Sequence, residues 1–426
     1  MEGLIQMVEI RKPIPVQEAI EHVWNQRHQG CTEYISINDC DNRRLGENIV
    51  ASHAVPPFNK SPYDGFAFNS EDTLQAGLNN PVEFDVVEHI GAGQVPTIRL
   101  KQGQATRIMT GAKIPEGADC VAMFEVCKSY EKNNKPCMSI KRTMKAGQNI
   151  IEEGSEVSEG EKLIDQGTLI NPGVKALLAT FGYSRVKVAK KPVVGVIATG
   201  TELLDVNEAL QPGKIRNSNA YMIESQIHRA GAEYKYFGKL ADDFEPSYQT
   251  IKQALEEVDV LITTGGVSVG DFDLMPAIYE KLGASILFNK VAMRPGSVTT
   301  VASNGNKLLF GLSGNPSACY VGFELFVRPI LNHSLFSKTP YLKRIKATLA
   351  DDFPKPNPFT RFVRNYITYE NGKIYARLAG VDKSNVVTSL AHTTGLMILP
   401  GGTRGFKSGD EVEVLLINSS EGQLEF

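Results

Sequence analysis

The chain has 426 residues, more than one compact core usually holds, so we expect two to four domains. Charged residues make up 22% and hydrophobic residues 42%, which is ordinary for a globular enzyme, and the formal net charge of -3 argues against a nucleic-acid-binding protein. No apolar run approaches the roughly 18 residues that a membrane span requires, and the first residues lack a signal-peptide pattern. We therefore expect a cytoplasmic protein.

The six cysteines and seven histidines show no metal-binding pattern. No two cysteines form a Cys-x-x-Cys pair, so zinc and dithiol redox motifs are absent from the sequence. A disulfide framework is unusual at this length, and we interpret the cysteines as reduced thiols. The histidines share no ligand spacing, so they are predicted to be surface or core residues.

Two helical segments flank a β-rich region in the first half of the chain. Val16, Ala19 and Ile20 recur at helical spacing, and a second helical segment lies near Val174–Ala179. Between them, short β-like runs such as Val82–Val87 are divided by Gly and Pro. We therefore predict a discontinuous N-terminal helical and β domain (residues 14–54 and 153–188) that is interrupted by a β insertion domain (residues 55–152).

Strand-like and helix-like segments alternate in the third region, residues 189–335. Continuous apolar runs indicate buried strands, and apolar stripes with Asn or Ser at the start and Gly at the end indicate helices. The predicted strands are Val193–Ala198, Tyr234–Leu240, Val260–Thr264, Ile286–Met293 and Leu308–Leu312. Helices are predicted after Asn217, around Ile251–Val258, over Leu274–Leu282 and from Pro316 to about Leu331. This alternation predicts an α/β domain with a doubly wound parallel sheet.

The last region, residues 340–426, loses the helical periodicity. Asn371-Gly372 stands between the β-like runs Phe362–Tyr369 and Lys373–Leu378, as in a hairpin turn. We predict a small all-β domain.

Unusual residues follow every predicted strand of the α/β region. The segments are Thr199–Glu202, Asp242-Asp243, Thr264–Asp273, Met293–Gly296 and Gly311–Pro316. Ligands of open α/β sheets bind beyond the carboxyl ends of the strands. Gly-rich loops that lead into helices expose backbone N–H groups to oxyanions, and nearby carboxylates suit Mg²⁺. The pattern therefore predicts a phosphate or oxyanion site at one edge of the sheet.

Each of these residues also has a purely structural explanation. Asp243 and Asp273 could cap helices, and Glu202 could be an exposed loop acid. The glycines at 265 and 266 could serve tight packing, and Asn315 stands where a helix with proline in its first turn begins. A functional site is favoured only because all of these residues follow strands of the same predicted sheet.

Two turn-rich motifs precede the α/β region, Ser61–Ala67 (Ser-Pro-Tyr-Asp-Gly-Phe-Ala) and Arg107–Ala112 (Arg-Ile-Met-Thr-Gly-Ala) followed by Pro115–Ala118. Alone they are typical of structural turns. Together with Thr199–Leu203, Gly265–Gly270 and Gly314–Pro316, they resemble the molybdopterin molybdenumtransferase family, to which the E domain of gephyrin belongs. The resemblance covers nearly the whole chain, from about residue 14 to 415.

The resemblance implies a four-part fold in which a molybdopterin-binding α/β domain joins the N-terminal domain, the β insertion and a C-terminal β-barrel. It implies a homodimeric transferase with active sites shared between protomers. The implied reaction inserts molybdate into adenylylated molybdopterin with Mg²⁺-dependent release of AMP, giving molybdenum cofactor. A molybdopterin adenylyltransferase is the implied partner.

Site residues follow by position from the resemblance. The catalytic positions are Asp64 (from the other protomer), Glu202, Asp243 and Asp273, the last three being Mg²⁺ ligand positions with Asp273 foremost. The substrate-binding positions are Thr110, Thr199, Gly200, Asp242, Gly265, Gly266, Ser268, Lys290, Arg294, Ser313, Gly314, Asn315, Arg364 and Ser389. Lys290 and Arg294 match basic positions of the family, and Arg364 and Ser389 match molybdate-contacting positions.

The chain departs from the family pattern at two places. Ser297 stands where a lysine is usual in Lys-Pro-Gly-Lys-Pro, so one cation of the oxyanion site is absent. Ser313 replaces a proline that often precedes Gly-Asn-Pro. Neither change removes a carboxylate.

Two other functions stay open at this point. Adenylylation of molybdopterin is carried out by a related stand-alone α/β unit, which the three additional regions disfavour. A non-catalytic anchoring scaffold like gephyrin would not need the acidic set at the sheet edge.

Overall fold

The structure is a computed structural model that describes residues 12–240, 243–266, 274–419 and 422–426. Its α-helices are α1 (Val16–Trp24), α2 (Pro172–Thr180), α3 (Ser218–Arg229), α4 (Phe244–Glu257), α5 (Met275–Lys281), α6 (Pro316–Gly322) and α7 (Arg328–Ser334).

Most of the remaining regular structure is β. The strands are β1 (Thr32–Ser36), β2 (Ile49–Val50), β3 (Gly65–Phe68), β4 (Val82–Ile90), β5 (Gln104–Ile108), β6 (Cys120–Met123), β7 (Cys127–Lys132), β8 (Lys135–Ile140), β9 (Lys162–Ile164), β10 (Arg185–Ala189), β11 (Val193–Thr199), β12 (Leu203–Leu204), β13 (Ile215–Arg216), β14 (Glu233–Leu240), β15 (Val260–Thr264), β16 (Ser285–Phe288), β17 (Met293–Arg294), β18 (Thr300–Asn304), β19 (Lys307–Leu312), β20 (Tyr341–Leu342), β21 (Arg344–Leu349), β22 (Thr360–Glu370), β23 (Lys373–Leu378), β24 (Gly395–Leu399), β25 (Glu411–Leu416) and β26 (Gly422–Gln423).

The chain forms two compact units. The larger contains residues 1–47, 166–175 and 184–426, and the smaller contains residues 48–165 and 176–183. The four-part boundaries from the sequence are finer than this division and stay a prediction. In the part of the chain that the structure describes, no helix combines the length and apolar character needed to cross a membrane.

A six-stranded sheet forms the centre of the larger unit, in the order β14-β11-β15-β19-β18-β16. The first four strands are parallel, and their hydrophobic residues are almost completely buried. Helices α1, α3, α6 and α7 pack on one face, whereas α4 and α5 pack on the other. The predicted doubly wound α/β fold is confirmed.

One strand of this sheet differs from the sequence prediction. β18 was not predicted, and it runs antiparallel between β19 and β16. The turn from Asn304 to Lys307, in which Gly305 has a φ of +59°, is too short for a crossover, so the two strands form a hairpin. The predicted strand Ile286–Met293 was wrong in its second half, since β16 ends at Phe288 and Met293 belongs to another sheet.

The predicted helix from Pro316 to Leu331 is present but not uniform. α6 continues through a π-helical segment, Phe323–Val327, into α7. Pro329 has no N–H and its ring crowds the carbonyl four residues earlier, which disfavours regular α-helix there. The π segment lies directly before this proline.

The C-terminal part of the larger unit is a β-barrel. β22, β23, β21, β25 and β24 pair in that order, and β24 pairs again with β22 to close the ring. The predicted hairpin between β22 and β23 is confirmed, with φ values of 51° at Asn371 and 74° at Gly372. The two-residue strand β17 adds in parallel to the start of β22, so a segment from the α/β region pairs with the barrel.

The smaller unit contains its own six-stranded sheet, in the order β6-β3-β5-β4-β8-β7. Phe66, Phe68, Phe84 and Met138 form its core, and none is more than 1% exposed. This sheet carries the two turn-rich motifs singled out in the sequence.

Candidate functional site

Four strand ends of the α/β sheet lie side by side. Thr199 pairs with Leu240, and Thr264 pairs with both Ala198 and Leu312. Because these are the last residues of parallel strands, the loops that follow them start from one edge of the sheet. We call this edge, with the first residues of its loops, the rim.

The rim is made of closely packed backbone. The hydroxyl of Thr199 donates to the carbonyl of Thr264 (3.0 Å), and the N–H of Gly265 donates to the carbonyl of Leu312 (3.0 Å). Gly265 has a φ of +85°, and a Cβ there would lie 2.7 Å from the Thr199 carbonyl oxygen and 2.8 Å from its hydroxyl oxygen. A side chain at this position would therefore have to push Thr199 away.

Gly266 and Gly200 have the same requirement for positive φ, at +63° and +136°. A Cβ on Gly266 would lie 2.9 Å from the hydroxyl oxygen of Thr199. These glycines bring backbone close to whatever occupies the space above the strand ends, as phosphate-binding loops do. The contacts to Thr199 also fit the structural explanation for Gly265 and Gly266, which is tight packing where a strand leads into a helix.

The loop after β19 joins the same edge. Gly314 approaches Gly265, since a Cβ on Gly314 would lie 3.6 Å from the Gly265 Cα. The side-chain amide of Asn219 donates to the Gly314 carbonyl (2.8 Å), and the hydroxyl of Ser313 accepts from the N–H of Asn315 (3.2 Å). Asn315 precedes α6 without capping it through its side chain. Its exposed amide is therefore available to a ligand.

Two predicted carboxylates stand at the rim without protein partners. Glu202 and Asp243 are exposed, and neither carboxylate has a hydrogen bond or ion pair with any residue the structure describes. Asp243 occupies the position before α4 but makes no side-chain cap hydrogen bond, so its carboxylate does not cap this helix. The loops that carry them leave β11 and β14 next to each other.

Two predicted basic residues follow β16. Arg294 is exposed and belongs to β17, whereas Lys290 is half-buried and its carbonyl accepts from the N–H of Ile14 (3.1 Å). Neither side chain forms an ion pair among the described residues. Gly296 brings this segment close to α6. A Cβ at this position would lie 3.3 Å from the carbonyl oxygen of Ala318.

The barrel provides a buried guanidinium. Arg364 on β22 is 2% exposed, and its Nε donates to the hydroxyl of Ser389 (2.8 Å). Its Nη2 donates to the carbonyls of Val381 (3.1 Å) and Lys383 (3.2 Å). Its Nη1 is buried and has no hydrogen-bond partner among the described residues. Burial lowers the pKa of Arg364, and nearby Asp382 partly offsets this effect.

The barrel loop around Arg364 is attached to the start of α6. The N–H of Ser317 donates to the carbonyl of Ser384 (3.0 Å), and its hydroxyl donates to the carbonyl of Val386 (2.6 Å). Ser317 follows the Gly314–Pro316 loop by one residue. The Arg364–Ser389 pair and the rim loop after β19 are thus neighbours within one unit.

Asp64 and Thr110, the two predicted residues of the smaller unit, contact each other. The N–H and the hydroxyl of Thr110 donate to the same oxygen of Asp64, at 2.7 and 2.8 Å. These two hydrogen bonds hold the pKa of Asp64 below its usual range. Its other carboxylate oxygen has no partner among the described residues, so Asp64 is an ionised acceptor with one oxygen available.

Asp242, Ser268 and Asp273 lie outside the described residues. Within the described ranges, no three His, Cys, Asp or Glu side chains form a group that could hold a metal. All six cysteines are free thiols, and burial raises the pKa of Cys120 to about 12 and that of Cys127 to about 11. Such thiols are poor nucleophiles and poor ligands.

Sequence reasoning missed two residues of the site. Asn219 is 6% exposed and its Oδ1 is buried without a partner. Asp382, with 6% of its side chain exposed, lies 2.7 Å from Arg361 and 3.7 Å from Arg364. Two arginines that flank Phe362 and Val363 in a predicted strand were a usable signal, because buried guanidinium groups need a carboxylate.

Three family models match the chain consecutively: the MoeA N-terminal region (domain I and II) at residues 14–182, a probable molybdopterin binding domain at residues 195–333, and the MoeA C-terminal region (domain IV) at residues 346–417. A molybdopterin molybdenumtransferase of Bacillus subtilis (strain 168) is 56% identical over 98% of this chain and 97% of its own length. One from Staphylococcus epidermidis is 48% identical over 98% and 99%.

Solved structures agree with the sequence matches. A molybdopterin biosynthesis MoeA protein from Pyrococcus horikoshii superposes with a TM-score of 0.86 and 29% identity, covering 96% of this chain and 100% of its own. A molybdopterin biosynthesis MoeA protein from Pyrococcus horikoshii OT3 superposes with a TM-score of 0.78 and 30% identity, covering 95% of this chain and 100% of its own. The motifs, the order of the domains and the closed C-terminal barrel are those of one family. This chain belongs to the molybdopterin molybdenumtransferase family.

Proposed function

We propose that this chain is a molybdopterin molybdenumtransferase that inserts molybdate into adenylylated molybdopterin and releases AMP. The observation that carries the proposal is the position of the buried Arg364–Ser389 pair beside a glycine-lined rim. The rim offers backbone to phosphate groups, and the pair offers donors to a second oxyanion. A reaction that brings a phosphoanhydride and molybdate together needs both.

The rim residues hold the adenylylated pterin. Gly265, Gly266 and Gly314 let the substrate approach the backbone closely, and the amide of Asn315 is free to orient it. Asn219 holds the loop after β19 in place through its hydrogen bond to the Gly314 carbonyl. Thr199 fixes the spacing of two neighbouring strand ends.

Arg364 and Ser389 hold molybdate. The unpartnered Nη1 of Arg364 is a donor that an oxyanion would satisfy, since a buried guanidinium N–H without an acceptor is unfavourable. Arg294 and Lys290 add positive charge from the neighbouring segment. Ser297 provides a hydroxyl in place of the usual cation, so Arg294 carries more of the charge compensation here.

Glu202 and Asp243, together with Asp273, would hold Mg²⁺. The two described carboxylates fit this role because they are exposed, free of protein partners and adjacent to the rim, and Mg²⁺ prefers oxygen ligands. When bound, the ion would neutralise charge on the phosphoanhydride. We also propose a homodimer in the cytoplasm, with Asp64 and Thr110 contributing to the partner's site, and a molybdopterin adenylyltransferase as supplier of the substrate.

The test is AMP release from purified protein supplied with adenylylated molybdopterin, Mg²⁺ and molybdate. We expect AMP release that depends on molybdate and is lost in Asp273→Asn. Asp259→Asn is a control, because Asp259 accepts from the N–H of Val193 at the other end of β11. ATP consumption without molybdate would instead indicate adenylylation, and tight partner binding without turnover would indicate a scaffold. Either result would contradict the proposal.

A further inference from the structure

A second polar cavity lies in the larger unit, at the opposite end of the α/β sheet from the rim. It has a volume of about 400 Å³. Its wall includes five cationic side chains, which are Arg43, Arg44, Lys191, Arg229 and Arg328. We call it the Arg44–Arg328 cavity.

Helix α3 separates this cavity from the rim. Asn219, in the first turn of α3, bonds to the rim residue Gly314, whereas Arg229, its last residue, lines the cavity. A helix of 12 residues is about 18 Å long, so the cavity is not an extension of the rim. Lys191, which precedes β11, places the cavity beyond the amino ends of the strands.

Carboxylates do not balance the positive charge of the wall. Arg229 and Arg328 share one buried acid, Glu324, and Arg43 pairs with Glu33. Asp41, the one acidic residue of the wall among the described residues, already pairs with Lys175 (2.7 Å). The five cations of the wall are therefore close to only three carboxylates, Glu33, Asp41 and Glu324, and Asp41 is already paired with Lys175.

Arg44 is the least compensated of these cations. Its Nη1 donates to the carbonyl of Gly167 (2.9 Å), and it has no ion pair among the described residues. Burial lowers the pKa of Arg44, and the like charge of Arg328 lowers it further. Two guanidinium groups facing the same partly buried space repel each other unless an anion lies between them.

Two further donors point to a ligand. The Nε of Arg328 is buried without a hydrogen-bond partner, and Arg328 as a whole is 9% exposed. Lys191 has no hydrogen bond or ion pair with any described residue. A buried guanidinium donor without an acceptor is unfavourable, and an oxyanion with several acceptor oxygens could accept from it and from the neighbouring cations.

We propose that the Arg44–Arg328 cavity binds phosphate, either as the free ion or as the phosphomonoester group of a small molecule. Arg44, Lys191 and Arg328 surround the phosphate and supply its charge compensation. Leu169, Leu335 and Leu342 form an apolar part of the wall that can accept the organic portion of a phosphomonoester. The volume falls in the range of small-molecule sites, about 300–1,000 Å³.

Calorimetric titration tests this, with inorganic phosphate and phenyl phosphate as probes against chloride at equal ionic strength. All titrations use Arg364→Gln protein, so that binding at the proposed molybdate pair does not contribute, and the comparison with Arg44→Gln separates the cavity from the phosphate-binding rim. We expect phosphate binding above the chloride baseline. Tighter binding of phenyl phosphate would assign the site to phosphomonoesters, and equal binding would assign it to the free ion.

Arg44→Gln should weaken phosphate binding about tenfold, because a charge-assisted hydrogen bond is lost. Lys191→Gln should weaken it about threefold, because its contribution is mainly charge. Arg404→Gln, which removes an exposed arginine outside the cavity, should leave it unchanged. Binding no stronger than chloride, or unaltered affinity in Arg44→Gln, would overturn the proposal.

Soaking crystals in selenate locates the bound anion directly, because selenate is a tetrahedral dianion whose selenium scatters anomalously. The result does not depend on how the substitutions change the stability of the protein. We expect a peak between Arg44 and Arg328 in wild-type crystals and none in Arg44→Gln crystals. Peaks only at other places in the wild-type protein would also overturn the assignment.

Discussion

Two clusters of the larger unit have the same components, a buried carboxylate between two arginines. In the first, Glu324 is fully buried and contacts Arg229 and Arg328 directly. In the second, Asp382 pairs with Arg361 at 2.7 Å but stays 3.7 Å from Arg364 and from the more exposed Lys355. Glu324 therefore forms close ion pairs with both of its arginines, whereas Asp382 forms a close ion pair with Arg361 only.

The surroundings of the two clusters explain the difference. Glu324 also accepts from the amide of Gln226 (2.7 Å), and Arg328 donates to the carbonyl of Ile417 (2.9 Å) near the end of the barrel. These bonds connect α3, the π segment and the barrel, so the Glu324 cluster is part of the framework. Arg364 instead bonds to a serine and to loop carbonyls next to the rim. The carboxylate therefore serves the framework in the first cluster, whereas in the second it leaves Arg364 with a donor for a ligand.

Glu324→Gln tests the structural half of this comparison and should have the largest effect. It leaves the buried guanidinium of Arg328 and the partly exposed guanidinium of Arg229 without a counter-charge, and we expect the free energy of unfolding to fall by about 3–5 kcal/mol. Denaturant unfolding measures it. Glu413→Gln, which removes an exposed partner of Arg344, is the control and should cost less than about 1 kcal/mol. Equal losses would show that Glu324 does not hold the framework.

Arg364→Gln tests the functional half. Loss of a preorganised donor for the oxyanion should reduce the turnover of molybdate-dependent AMP release about 10²–10³-fold. The rate is measured per folded protein, with unfolding followed in parallel. Arg377→Gln, on the neighbouring strand with an exposed Glu370 partner, should keep nearly full activity. A large loss of stability with normal turnover would place Arg364 in the framework as well.

Gly265→Ala sharpens the comparison at the rim itself. Positive φ costs a non-glycine residue about 1–2 kcal/mol, and the Cβ would also collide with Thr199. Gly283→Ala shares the positive φ, at +67°, but its Cβ would meet no atom within 4 Å. We expect Gly265→Ala to lower thermal stability more than Gly283→Ala does. Similar melting temperatures would mean that the rim can relax around a side chain.

Thr110→Val should have the smallest effect, a shift in pH dependence. The hydroxyl and N–H of Thr110 hold the pKa of Asp64 low, so the hydrogen-bonded carboxylate is present above its ordinary pKa and is lost only as pH falls through the lowered value. Removing the hydroxyl should raise the pKa and move the acid limb of the activity profile to higher pH. Thr97→Val, which removes a similar bond to Glu88 (2.7 Å), should leave the profile unchanged.

Much of the fold could be predicted from the sequence, because periodicity reports which face of an element is buried. The parallel strands, the helices and the Asn371-Gly372 hairpin follow from such local patterns. β18 was missed because the Gly305 turn was not recognised as a hairpin turn. The π segment was missed because the effect of Pro329 depends on the helix continuing past it.

The candidate site could be predicted only in part. Strand ends that carry glycines and acids were visible, since parallel strands bring their carboxyl ends to one edge. Asn219 and Asp382 were not, because each acts on a partner that is distant in sequence, Gly314 in one case and Arg361 in the other. Periodicity predicts that a residue is buried but does not identify the group it contacts.

The short strand β17 has a consequence for dissecting the chain. It covers one side of the first residues of β22, while β24 covers the other. A barrel produced alone from about residue 340 would lack β17, and the start of β22 would present unpaired backbone groups to other chains. A monomeric barrel fragment therefore has to include residues 290–296. A fragment that begins at about residue 340 is expected to self-associate.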